Sequence, residues 1–526
     1  MKFKIRAREL LFFSFLLLLL AVSPPTVQCS SEEEEEIQRS QFPDAFFFGT
    51  STSAYQVEGA YLEDGKSLAN WDAFTHIPGN IINNDNGDVV DDHYHRYMED
   101  IELLHSLGVN AYRFSISWAR ILPRGKSGDV NPEGIRFYNK IIDSLLLRGI
   151  EPFVTICHFD LPQSLEDKYG GWLNPLIRED FVYFAAICFK EFGDRVKYWV
   201  TINEPNHWVD FSYIRGMYPP GHCSLPFGNC SVGNSDAEPL VAMHNMLISH
   251  AMAADFYRKH FQAKQNGFVG MVVSSFMYEP LRDKEEDRQA VSRALAFTIA
   301  WALDPVVHGD YPEEMRECIG LKLPKFSAQE REILRRGSID FIGINHYSTL
   351  YIKDCINSTC SPKSYHPIQG FVETTGLRDG LPIGQPTGKA VFFVVPRGME
   401  EIIEYIKHRY NNILMFVTEN GYASPLQENE QELLQDLNRI KFHKDYLIAL
   451  ARAVRKGANV RGYFIWSLMD NFEWADGYGT RFGLYYVDRT TLRRFPKLSA
   501  KWFTSFLTDT NASGHSHHEG VFLESI

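Results

Sequence analysis

The chain has 526 residues, of which 44% are hydrophobic and 14% aromatic. That is ample for a large packed core and excludes a disordered or disulfide-dependent miniprotein. A net charge of −13, with no Lys/Arg cluster interleaved with aromatics, excludes a nucleic-acid surface and fits a neutral, hydroxyl-rich small molecule better.

At the N-terminus Lys2, Lys4, Arg6 and Arg8 form a positive region, Leu10 to Val22 is apolar, and Val27-Gln28-Cys29 offers a small-residue cleavage site. The apolar run is shorter than the ~20 residues a membrane span needs. Residues 1–29 therefore read as a signal peptide, with no span left after its removal, and the pathway is secretory. The extracellular space or cell wall is the favoured destination, with the vacuole as the alternative. Residues 30–41 read as an acidic leader, 42–508 as one catalytic body and 509–526 as a disordered tail. Oligomeric state is not legible.

Phe42 to Gly49 enters the first strand, which leads to Gln56, and Trp71 to Asn86 reads as a loop. Tyr94, Tyr97, Ile101 and Leu104 then recur at helical spacing. Gly108 stops that helix, and Val109 to Ile116 is the next strand. The same unit returns when Asn131-Pro132 opens a helix that Gly149 ends, before a strand over Ile150 to Cys157. Asn174-Pro175 opens another, which Gly193 ends, before the strand that stops at Glu204. Phe268 to Ser275, Ile339 to Tyr347, Ile413 to Glu419 and Val460 to Trp466 complete eight strands with helical stretches between them. Alternation of this kind predicts a parallel sheet, either doubly wound or closed into a (β/α)8 barrel. Closure is favoured because Gln56, Arg113, His158, Glu204, Asn345, Glu419 and Trp466 all fall at strand ends, and a barrel brings eight ends to one mouth. Val209 to Glu238 and Lys353 to Pro396 read as long irregular connections at that mouth.

Two apolar strands ending on carboxylates, Glu204 and Glu419, imply one shared pocket with paired acid chemistry. Two such carboxyls can divide the roles between them, one protonated and one ionised, and no cofactor is expected. His515, His517 and His518 lie in a Gly/Ser-bearing tail, and no metal site is expected.

Thr201-Ile202-Asn203-Glu204-Pro205 and Val417-Thr418-Glu419-Asn420-Gly421 resemble the acid/base and nucleophile signatures of family 1 glycoside hydrolases, the retaining β-glucosidases. Ser53 to Gly59, Arg113 to Trp118 and Trp466 to Trp474 also match, in the family's order, and the resemblance spans about Phe42 to Phe506. It implies a TIM barrel with Glu204 as acid/base and Glu419 as nucleophile. Gln56, His158, Asn203, Tyr347, Trp466, Glu473, Trp474 and Phe482 are then substrate-binding residues, with Arg113 and Asn345 in support. Asn206-His207-Trp208 and Met217 to Cys223 are most similar to plant enzymes acting on phenylpropanoid glucosides such as coniferin. An aromatic aglycone is expected to lie on Phe159, His207, Trp208 and the Phe211 to Tyr218 run. Two departures stand out: Phe159 where the family has Trp, and Val391 where relatives carry an aromatic. The alternatives are transglycosylation through the same glycosyl-enzyme and a β-glucosidase for cell-wall oligosaccharides.

Secretion makes the cysteines interpretable. Cys223 and Cys230, and Cys355 and Cys360, are close pairs in polar loops and are expected to form disulfides, whereas Cys157, Cys188 and Cys318 sit in apolar segments as thiols. Sequons at Asn229, Asn357 and Asn511 permit N-glycans.

Overall fold

The computed structural model describes residues 36–125, 130–336, 339–425 and 430–508. The signal segment, the first half of the leader, the tail and Asn511 lie outside the described residues. Ile37 is already buried, and Arg39 donates to the carbonyls of Phe42, Pro43 and Asp44, so the packed body begins five residues before the expected start.

Eight parallel strands close on themselves: β1 (Phe47–Ser51), β2 (Ala111–Ser115), β3 (Glu151–Cys157), β4 (Tyr198–Asn203), β5 (Phe268–Pro280), β6 (Phe341–Asp354), β7 (Leu414–Asn420) and β8 (Val460–Trp466). Each pairs with the next, β8 returns to β1, and the pairing of β6 with β7 completes a ring with no free edge. The wrapping helices are α1 (His93–Leu107), α2 (Pro132–Leu146), α3 (Ile177–Phe192), α4 (Glu238–Tyr257), α5 (Glu285–His308), α6 (Arg397–Arg409), α7 (Leu437–Arg455) and α8 (Leu498–Thr508). The fold is a (β/α)8 barrel. Helix α5 is long and apolar enough to cross a membrane, yet 72% of its apolar window is buried within the protein, which makes it a core helix.

The barrel's interior has two storeys. Ala111, Phe153, Val200, Val272, Phe341, Phe416 and Phe464 form a closed apolar floor, with Phe153 stacked on Tyr198 at 5.3 Å. Two residues further along several of the same strands the inward side chain turns polar, Ala111 giving way to Arg113 and Phe153 to Thr155, as the period of two requires. In β4 and β7 that period is broken. Register shifts fall between Val200 and Asn203 and between Val417 and Glu419. Each inserts the extra residue that turns Asn203 and Glu419 into the barrel instead of outward.

The loops depart most from expectation. Trp71 to Asn86, read as a loop, contains a helix over Asn70–Thr75, and Gln56 lies on a short helix, Ala54–Val57, rather than at a strand end. Strands β5 and β6 run past the mouth, pairing as far as Pro280 and Ile352. Val372–Thr375 adds to them antiparallel, and Gln385–Pro386 pairs with Phe393–Val394, so the connection after β6 is partly ribbon. After β4 the chain forms a helix over Pro205–Val209 and a wider turn over Asp210–Ile214. Both expected disulfides are present, Cys223–Cys230 and Cys355–Cys360. Cys157 and Cys188 are buried thiols and Cys318 is a half-buried one. Asn229 and Asn357 are exposed.

Candidate active site

Glu204 is placed by the end of β4. Its N–H donates to the Val272 carbonyl at 2.8 Å, the last rung of the ladder, and Pro205 starts a helix immediately after it. Between the two, Glu204 adopts a left-handed φ of 44°, a conformation that costs a non-glycine residue about 1–3 kcal/mol and survives where the surroundings fix it. Phe159 and Trp474, on neighbouring loops, share that conformation at φ 66° and 52°.

Glu419 is held by two donors. The Arg113 guanidinium donates to Oε1 at 2.5 Å and the Tyr347 hydroxyl to Oε2 at 2.7 Å. Arg113, with no exposed surface, also donates to Asn203 Oδ1 at 2.6 Å and to Thr155 Oγ1 at 3.1 Å. Asn345 joins the carboxyls, since its Nδ2 donates to Glu204 Oε1 at 2.8 Å and to Asn203 Oδ1 at 3.2 Å, while its Oδ1 accepts from Thr418. Because Asn203 Oδ1 already accepts twice, its amide nitrogen must face His158 Nε2 at 3.2 Å. His158 therefore carries its proton on Nδ1, which has no partner among the described residues. Gly421, two residues past Glu419, lies where any Cβ would come within 2.1 Å of the Trp466 carbonyl. The turn after the carboxylate can close only on glycine.

The two carboxyls titrate differently for physical reasons. Burial pushes Glu204 up to about 8, reinforced by the charge of Glu419 and opposed by Asn345 and Arg113. Burial also raises Glu419, but Arg113 and Tyr347 act directly against it. The proton of the pair therefore resides on Glu204. His158 is pushed far down by burial and by Arg113 and is neutral. Glu473 is raised to about 7 by burial, against the pull of Lys389, whose Nζ lies 3.6 Å from it and 3.0 Å from Asp476.

A cavity of about 370 Å³ opens above the pair. Of the residues expected from sequence, Glu204, Glu419, His158, Tyr347, Trp466, Glu473, Trp474 and Phe482 line it. Arg113, Asn203 and Asn345 sit behind the wall; Arg113 and Asn345 act through the carboxyls they bind, and Asn203 through Arg113, Asn345 and His158. Gln56 is also behind it, with both amide hydrogens spent on Asn471 Oδ1 and the Phe472 carbonyl, so only acceptor capacity remains for a ligand. Glu473 Oε2 is buried without a hydrogen-bond partner among the described residues. Of the aromatics expected at the mouth, Phe159, His207, Phe211 and Tyr218 line the cavity. Trp208 does not: it is buried against Trp172 and Phe159. Val391 is half-exposed at the rim, and the ring missing there is supplied by Phe392, 5.2 Å from Tyr347. Sequence reasoning missed Phe276, Phe297, Trp301 and Lys389, which reach the cavity only through the extended ribbon and α5.

The model for glycosyl hydrolase family 1 matches residues 38–512. The chain belongs to that family. Among curated relatives of this family 1 member are a probable inactive β-glucosidase from Oryza sativa, 56% identical over 476 residues (90% of this chain, 92% of that one), and a coniferin β-glucosidase from Pinus contorta, 52% identical over 481 residues (90% and 93%). A rice β-glucosidase mutant, solved in covalent complex with glucose, superposes on the family 1 barrel with a TM-score of 0.86 at 44% identity, covering 89% of this chain and 99% of that one.

The Glu204 proton gives a pH prediction. Activity that needs it should fall as pH rises through about 8, seen as the basic limb of the kcat/KM profile. Asn345→Ala removes a donor that favours the ionised carboxylate, so its limb should move to higher pH. A limb that stays in place would mean that another group carries the proton.

Proposed function

We propose that this family 1 enzyme is a retaining β-glucosidase that hydrolyses β-D-glucosides with an aromatic, phenylpropanoid-type aglycone. The observation that carries the reading is the asymmetry of two carboxyls in one cavity, Glu204 holding a proton and Glu419 clamped by Arg113 and Tyr347. Glu204 donates its proton to the departing oxygen, and Glu419 attacks the anomeric carbon from the opposite face. Glu204, now ionised, then takes a proton from the water that releases glucose. The sugar is held by the open Nδ1–H of His158 and the free Oε2 of Glu473 against the indoles of Trp466 and Trp474. The rice enzyme's covalent glucose complex supports the same two-step course here.

The aromatic leaving group is supported by the rings on both sides of the cavity beyond the carboxyls. A well-packed ring pair is worth about 0.5–1.5 kcal/mol beyond its area, whereas a second sugar would need convergent amides, and of the two amides in the lining, Asn206 and Gln369, the first is spent on the Ser274 and Thr298 carbonyls. The pine relative's coniferin activity points the same way. A sugar-binding protein without turnover is the second reading, favoured by the rice relative named as probable inactive; the complete Glu419 clamp argues against it. Secretion, as the signal-like segment implies, agrees with two disulfides and exposed sequons at Asn229 and Asn357, for which we propose glycans.

Three outcomes test this reading. Glu419→Gln should lose turnover on every substrate, whereas Glu204→Gln should lose about 10²–10⁴-fold on an alkyl glucoside and much less on an activated aryl glucoside that needs no proton. Equal loss on both would remove the acid assignment. NMR of the first-formed sugar should show β-glucose, and initial α-glucose would end the double-displacement mechanism. Finally, kcat/KM should be higher for coniferin, syringin and a flavonoid glucoside than for cellobiose; a clear lead for cellobiose would move the enzyme to cell-wall oligosaccharides.

A further inference from the structure

One stripe of side chains runs from the chemistry to the rim. Glu204, His207, Phe211 and Arg215 follow one another at spacings of three, four and four along the helix and the wider turn after β4, and all four line the cavity. Residues at such spacing share a helical face. The imidazole of His207 stacks face to face on the Phe211 ring at 4.2 Å and 20°, which sets a two-ring stack between the carboxyl and the guanidinium. Burial and the nearby cations Lys389 and Arg215 keep His207 neutral, near 4, so this stack carries no charge of its own.

Arg215 ends the stripe as an oriented, partly unspent cation. Its Nε donates to Asp210 Oδ2 at 2.8 Å, while neither terminal nitrogen has a hydrogen-bond partner among the described residues. Its backbone is fixed by a bridge to Cys223, itself locked to Cys230, and its guanidinium lies 5.8 Å over the Phe211 ring. Eleven residues at ~1.5 Å each separate it from Glu204 by roughly 16 Å of backbone. Less the reach of the two side chains, that is the scale of a phenol ring with a short tail. Across the cavity Phe276, Phe297, Leu350 and Val372 present apolar surface, interrupted by Thr298, Gln369 and Thr374. A guanidinium whose two amino groups have no partner among the described residues, at the end of an aromatic stack, matches a carboxylate, which it can take in bidentate fashion.

We propose that Arg215 is a specificity-determining residue and that the preferred leaving groups are hydroxyaryl acids, glucosylated on the phenol and carrying a carboxylate at the far end. The inference rests on the β-glucosidase reading and narrows it. The reaction is β-glucoside plus water to glucose plus the free hydroxyaryl acid. The proton given by Glu204 goes to the phenol oxygen, and the carboxylate stays ionised on Arg215 throughout.

The test uses three 4-O-β-glucosides of one cinnamyl skeleton, ending in a carboxylate, its methyl ester or the alcohol. In the wild-type enzyme the carboxylate should exceed the ester in kcat/KM by about tenfold or more. Arg215→Gln should bring that ratio near one, and Arg215→Lys should retain part of it. Equilibrium binding of the S-linked, non-hydrolysable carboxylate and ester reads the same ratio without turnover. An enzyme that cleaves none of the three but binds the S-linked carboxylate about tenfold tighter would overturn hydrolysis and uphold the anchor. A ratio near one in the wild type, or one that survives in Arg215→Gln, overturns the anchor whatever the activity.

Discussion

The buried guanidinium of Arg113 is the constraint around which the rest is arranged. A cation with no exposed surface in the throat of a barrel is tolerable only when each of its nitrogens finds an acceptor, and here the acceptors are Glu419, Asn203, Thr155 and, at 3.5 Å, the Thr418 carbonyl. Those acceptors come from strands β3, β4 and β7, so the charge ties together strands far apart in sequence. Removing one partner of such a pair leaves an uncompensated buried charge, at a cost of about 3–5 kcal/mol. The interaction that favours the ionised form of Glu419 thus also fixes its rotamer and, through Asn203, the neighbouring strand end and the tautomer of His158.

The apolar floor makes this polar storey possible. Phenylalanines from β3, β6, β7 and β8 fill the barrel below, which leaves no path for water from that side. Low polarizability beneath the carboxyls is what raises Glu204, and above them only the cavity admits solvent. The separation of the two protonation states follows from placement. Glu204 receives one amide donor, and Glu419 receives a full positive charge and a phenol.

Much of this was legible in the chain, for reasons that can be assigned. All eight strands were readable because a strand buried on both faces is a continuous apolar run bounded by glycine and proline. Glu204 and Glu419 stood out because each breaks such a run with a charge. What did not show was anything set by an extra residue or by distance. The register shifts in β4 and β7 leave no mark in an apolar pattern. The continuation of β5 and β6 past the mouth follows from mutual pairing, which neither strand displays alone. Trp208 was placed at the mouth because its neighbours belong there, yet its indole turns inward onto Trp172. Phe392 went unnoticed beside Val391, since a shift of one position decides which side chain faces in. Lys389 and Arg215 carry no signal in the sequence, because folding alone sets them in the cavity lining.

The extension of β5 and β6 beyond the ring has a consequence for how such an enzyme can diverge. Inside the ring every side chain answers to neighbours on two flanking strands, and a change in one disturbs the closure of all eight. The part carrying Phe276, Tyr278 and Leu350 hangs outside that closure, paired only within its own ribbon. Substitutions there can reshape the slot for the leaving group while the register of the barrel, the Arg113 clamp and the proton on Glu204 stay as they are. Descendants of one ancestral hydrolase could thereby exchange leaving groups by small steps, with the bond-breaking apparatus inherited intact.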